Sequence, residues 1–120
     1  ECPYRCLFCD LWRHTLDDPT PAGAIPAQIR FALKQLPATR HIKLYNSGNF
    51  FDPRAIPVAD HPTIADLVDG YATVIVENHP RLVGPRVWEF HARLSGTLEV
   101  ALGLETAEPK LLAALNKQMT

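Results

Sequence analysis

The stretch ATVIVEN, residues 72–78, decides the fold. It is a short apolar run rich in β-branched residues, which reads as a buried strand of a parallel sheet. Two more segments of the same kind lie either side of it. HIKLYNSG (residues 41–48) is short, rich in β-formers and runs into a glycine-containing turn, and TLEVALGLET (residues 97–106) is a third strand running into a turn. Helical patterns fill the intervals. From Ile25 to Leu36, the residues Ile25, Ile29, Leu33 and Leu36 fall on one face, and Pro26 suits a first helical turn. Pro62 starts a short helix through Val68, with Gly70 to stop it. Gly84-Pro85 starts another, on which Val87, His91 and Leu94 share a face beside Trp88, and Pro109 to Leu115 is the last.

Strands and helices therefore alternate, which predicts parallel βαβ units with right-handed crossovers. A complete eightfold barrel needs about 250 residues, so a chain of 120 is at most half of one. No strand precedes the cysteine-bearing loop at residues 2–9, and no closing element follows Lys117-Gln118-Met119-Thr120. The expectation is that residues 1–120 are the N-terminal half of a larger α/β domain, lacking its first strand and its C-terminal part.

Composition narrows the function classes. A hydrophobic content of 47% suits one globular unit with a core. A formal net charge of -1 and a pI near 6.6 announce no general attraction to nucleic acid or to a membrane surface. No apolar run reaches membrane-spanning length and no signal peptide is visible. The cysteines number three, all within the first nine residues, an odd and clustered set that reads as metal or redox chemistry in a reducing compartment. The cytoplasm is the expected location.

In parallel α/β sheets the chemistry collects at the carboxyl ends of the strands. Three polar clusters are expected there: Asn46-Ser47-Gly48-Asn49, Glu77-Asn78-His79 and Glu105-Thr106. The loop ECPYRCLFCDLW (residues 1–12) would join them on the same rim if it followed a first strand. Its spacing is C-x3-C-x2-C, through Cys2, Cys6 and Cys9. Soft thiolates bind zinc, copper(I) or iron–sulfur clusters. A structural zinc site closes with four ligands, and the nearest candidates for a fourth are Asp10 and His14. A [4Fe–4S] cluster gives each iron one protein thiolate. Three cysteines then leave one iron open to a substrate or cofactor.

CPYRCLFC resembles the C-x3-C-x2-C motif of radical SAM enzymes, with the aromatic Phe8 just before the last cysteine. The resemblance implies a partial (βα) TIM-like barrel with the cysteine loop after its first strand. It also implies a [4Fe–4S] cluster on Cys2, Cys6 and Cys9, whose open iron is chelated by S-adenosylmethionine. Phe8 would lie beside the adenine. Ser47, Gly48 and Asn49 occupy the place of the family's glycine-rich segment, which holds the cofactor's amino group, although NSGN departs from its usual double glycine. Glu77 and Glu105 become cofactor-binding candidates at the ends of the next strands, Glu105 on the ribose or carboxylate side. No catalytic base is identified.

A finer likeness runs along nearly the whole chain. LYNSGNFFD, VIVENHPRL and LEVALGLETAEPKLLAALNKQMT look like the SGSFLD, VESRP and EVAIGLET segments of one group in the Elongator-type, tRNA-modifying branch. That group includes the radical SAM subunit of archaeosine synthase. The resemblance implies modification of a tRNA base, with a small-molecule radical reaction as the alternative, and an electron donor of ferredoxin or flavodoxin type. His79 stands where that group has arginine.

Ordinary roles compete with these. Glu77 and Glu105 are also what solvated strand ends carry. Histidines 14, 41, 61, 79 and 91 are dispersed without metal-pair spacing and read as surface or partly buried, His91 as a core-edge residue. Trp12, Trp88, Phe50 and Phe51 read as packing residues, and Arg5, Asp17 and Asp18 as solvated charges. Arg13, Arg40, Lys43, Arg54, Arg81 and Arg86 are too scattered to define an RNA surface. The non-enzymatic alternative is an α/β binding module stabilised by zinc, with Asp10 or His14 as the fourth ligand.

Overall fold

The computed structural model describes residues 2–119. It is an α/β domain built on a three-stranded parallel sheet. In chain order its main elements are α1 (Ala24–Leu33), β1 (His41–Leu44), α2 (His61–Val68), β2 (Thr73–Asn78), α3 (Pro85–His91), β3 (Thr97–Leu102) and α4 (Pro109–Ala114). The strands lie side by side in the order β1-β2-β3. Their register aligns Ile42 with Val74 and Leu98, and Leu44 with Val76 and Val100.

Side chains alternate across a strand, so these two rows share one face. The helices α1, α2 and α3 cover it. Val74, Val76, Ile64, Ala65, Val68, Val87 and Phe90 form the core with Phe50 and Phe51 from the loop after β1. The opposite face carries Lys43, Ile75, Glu77 and Glu99. ATVIVEN is therefore a half-buried strand and not one sealed on both sides. Val74, Val76 and Asn78 are buried while Thr73, Ile75 and Glu77 are only partly covered, because α1, α2 and α3 pack on one face.

Two helices differ from the sequence expectation. Helix α1 stops at Leu33, and the N–H groups of Gln35 and Leu36 both turn back to the Ala32 carbonyl. Leu36, expected on the apolar face, is 57% exposed. The following Pro37 disfavours helical geometry at the residue before it, which ends the helix early. On α3 the buried positions are Val87 and Phe90, and His91 is exposed, not a core-edge residue. Trp88 also faces outward, so it is not a packing residue.

The start of α1 is held from a distance. Gly23, at φ 84° before the first turn, donates its N–H to the buried Asp60 carboxylate at 2.9 and 3.0 Å. A carboxylate there satisfies an orphan donor and favours the positive helix end. Gly96, entering β3, has backbone for neighbours: a Cβ there would lie 2.5 Å from the Tyr71 carbonyl oxygen and 2.6 Å from that of Ala72. Among the described residues no helix is long and apolar enough to cross a membrane.

Candidate functional site

Because the strands are parallel, the segments after Leu44, Asn78 and Leu102 leave the sheet at one edge. The loop after β1 is pinned there by its aromatic pair. Phe50 and Phe51 are buried, and their N–H groups donate to the Glu77 carbonyl at 3.0 Å and to Asn78 Oδ1 at 3.2 Å. That leaves Asn46 to Asn49 beside the strand end, with Asn46, Ser47 and Gly48 partly covered and Asn49 buried. The cysteine loop folds back over the same edge, and a cavity of about 380 Å3 lies between them.

Cys2, Cys6 and Cys9 all line this cavity, and so do Phe8, Ser47, Gly48, Asn49, Glu77 and Glu105. The nine cluster- and cofactor-binding candidates selected from the sequence thus meet at one place, while the alternative zinc ligands Asp10 and His14 do not line it. None of the cysteines is in a disulfide. Cys6 is 8% exposed, while Cys2 and Cys9 are partly covered. Burial pushes the Cys6 thiol above the usual range. The Lys117 ammonium pulls it back, and the neighbouring Cys9 and Cys2 push it up further. The loop is braced internally, with the Cys9 N–H on the Cys6 carbonyl at 3.1 Å and the Trp12 indole N–H on the Cys9 carbonyl at 3.1 Å. The guanidinium of Arg5 lies over the Trp12 ring at 4.5 Å.

Asn49 couples this loop to the sheet. Its amide donates to Cys2 Sγ at 3.4 Å, while its Oδ1 accepts the His79 N–H at 2.7 Å. Glu77 forms an ion pair with Lys43 across the open face of the sheet. Glu105 has a left-handed backbone, φ 67°, and its carboxylate sits 3.3 Å from Lys117 Nζ. Gly103 makes room for that pair, since a Cβ there would come within 3.1 Å of Glu105 Oε1 and 3.3 Å of Lys117 Nζ. Phe8 is half exposed, and the same ammonium stands 5.4 Å from its ring centre.

Sequence reasoning missed Tyr4 and Lys117 on this wall, and it placed Asn46 and His79 at the strand ends without selecting them as site residues. Lys117 is 5% exposed, which is unusual for a lysine. Asn46 Oδ1 is buried and has no hydrogen-bond partner among the described residues. His79 is buried and not a surface histidine, with its ring stacked on Tyr4 at 3.7 Å and 11°. The Arg81 N–H donates to Nδ1 at 3.2 Å, so the ring proton sits on Nε2 and is donated to the Lys117 carbonyl at 2.9 Å. Burial pushes the His79 pKa below the ordinary histidine value, and the hydrogen bond to Lys117 opposes this only in part. A signal for Lys117 was present in Asn116, a residue type that tolerates the left-handed turn by which a chain folds back after a helix.

The chemistry of the donor set suits a cluster. Among the described residues no three His, Cys, Asp or Glu side chains converge as they would on a single ion. An iron–sulfur cluster asks for something different, because each thiolate binds its own iron. Three free thiols on the wall of one cavity, itself within the size range of small-ligand sites, fit that requirement. His14 lines a neighbouring cavity of about 480 Å3 instead, which shares Cys2. The buried Lys117 brings positive charge to a wall that thiolates would make negative. Comparison with known proteins finds no matching family model, curated protein or solved structure.

Proposed function

We propose that this chain is part of the core of a radical SAM enzyme, its sheet a segment of a (βα) barrel. The observation that supports this most is the meeting of all three cysteines with the ends of three parallel strands around one cavity. When bound, a [4Fe–4S] cluster and S-adenosylmethionine supply reductive cleavage of the cofactor to methionine and a 5′-deoxyadenosyl radical. The chain's own residues hold and orient. Cys2, Cys6 and Cys9 ligate the cluster. Phe8 offers an apolar face to the adenine, and Ser47, Gly48 and Asn49 offer polar groups to the amino-acid end of the cofactor. Glu77 and Glu105 face the same space, Glu105 fixed by Lys117. The substrate class we favour is a tRNA base, on the strength of the motif likeness, with reduction by a ferredoxin- or flavodoxin-type protein and a small-molecule radical reaction as the alternative.

Anaerobic reconstitution of the chain with iron and sulfide tests this. The expected product is brown, and under dithionite it converts S-adenosylmethionine to 5′-deoxyadenosine and methionine. Replacing Cys2, Cys6 or Cys9 by Ala is expected to abolish both colour and cleavage. A colourless protein that holds one zinc per chain, loses it on His14→Ala or Asp10→Ala, and ignores S-adenosylmethionine would establish the binding module instead.

A further inference from the structure

The segment after α4 does not simply trail away. Asn116 and Gln118 both adopt left-handed backbone, each at φ 54°, a conformation unfavourable for L side chains and found where surrounding contacts enforce it. Four hydrogen bonds hold the segment in place. The Leu115 carbonyl accepts the Leu7 N–H at 3.0 Å, and the Asn116 amide donates to the Arg5 carbonyl at 2.9 Å. The Lys117 carbonyl accepts from His79 Nε2, and the Gln118 carbonyl accepts from Arg81 Nη1 at 3.1 Å. Four successive residues thus spend their polar groups on the cysteine loop and on the segment after β2. His79 completes the arrangement by stacking on Tyr4, which lies midway between Cys2 and Cys6.

We propose that His79 and the turn Leu115–Gln118 form a latch that positions the cysteine loop, holding its three thiols toward one cavity. The loop needs such support. Of its residues 2–9 only Cys6 is buried, while Leu7 and Phe8 stand exposed, so packing alone holds it weakly. His79 is the hub because one ring makes three contacts, to Tyr4, to Arg81 and to Lys117. A neutral imidazole is the only protonation state that serves all of them, since the cation has no acceptor at Nδ1. Among the described residues His79 makes no hydrogen bond to a thiol, so it is a positioning residue. That positioning matters for a cluster rests on the function proposed above, whereas the latch itself is a property of the metal-free chain.

The test is residue-resolved alkylation of the metal-free full chain by iodoacetamide, followed by mass spectrometry. In the wild type Cys6 is expected to react slowest. His79→Ala and Asn116→Gly are each expected to speed Cys6 about tenfold, the effect of one lost ring stack or hydrogen bond on a local opening equilibrium. Asn116→Gly keeps the left-handed turn comfortable and removes only the amide, so it stays informative if His79→Ala fails to fold. Gly96→Ala strains the far end of the sheet and is expected to leave Cys6 in folded protein unchanged. After reconstitution, the two latch variants are expected to lose cluster to a chelator about tenfold faster than wild type. Equal Cys6 rates in folded wild type, His79→Ala and Asn116→Gly overturn the latch, as does an equal acceleration by Gly96→Ala. A chain that takes up no cluster yet shows the alkylation differences supports the latch and overturns the proposed function.

Discussion

Glu105 combines two conditions that a solvated strand-end carboxylate does not meet. Its backbone is left-handed, and its carboxylate pairs with an ammonium that is itself almost wholly buried. The pair is lopsided, with Glu105 part exposed and Lys117 enclosed, so its worth lies near the upper end for surface pairs, about 1 kcal/mol. Glu105→Gln keeps the side chain's shape and removes the charge. We expect it to lower unfolding free energy by about that amount in urea titrations, and to weaken S-adenosylmethionine binding measured by calorimetry on reconstituted protein. A Gln variant that binds the cofactor as tightly as wild type would remove Glu105 from the site. Glu105 was selectable from the sequence because it ends a strand. Its partner was not, since Lys117 lies twelve positions on, beyond an intervening helix, and only the turn at Asn116 brings it back.

The strands and helices were legible in order and type because each depends on local periodicity and on Pro and Gly punctuation. The misread details concern where an element ends and which side of it is covered. Leu36 fell outside α1 through the proline that follows it, and His91 lost its place on the apolar face to Phe90. Residue patterns report a period, while tertiary packing chooses the phase. Gly96 shows the same limit from the other side. Nothing local marks it, yet the carbonyls of Tyr71 and Ala72 occupy the space a side chain would take. Gly96→Ala must displace backbone, and we expect it to cost about 1–3 kcal/mol, read as a lower urea midpoint with an unchanged m-value. Colour and cluster content of the folded fraction are expected to stay at wild-type level, because the clash lies at the end of the sheet away from the cysteines.

At the scale of the molecule, two buried histidines set the response to acid. His61 is 6% exposed and sits among Phe50, Phe51 and Phe90, with its Nε2 lacking a partner among the described residues. Burial pushes its pKa below 6.5, with Arg86 adding to the effect and Asp60 and Glu89 opposing it. His79 shifts the same way. For a depressed pKa the unfolded chain binds the proton first. The stability is whole above about pH 6.5 and is lost as pH falls toward the folded-state values. We expect unfolding free energy in urea to be lower at pH 5.5 than at 7.5, with His61→Phe flattening that dependence and His79 carrying what remains. A flat profile in the wild type would contradict the burial of both rings. The contact between Arg5 and Asn116 spans 111 positions of sequence, and this bears on time as well as geometry. A ribosome adding about 5–20 residues per second releases the thiols first and the segment that secures them about 5–20 s later. Until that segment arrives, the cysteines are exposed to whatever oxidant or stray metal is nearby. Under the proposed function, cluster loading is expected to follow synthesis of this segment, and a nascent chain stalled short of Asn116 is expected to be alkylated at all three cysteines alike.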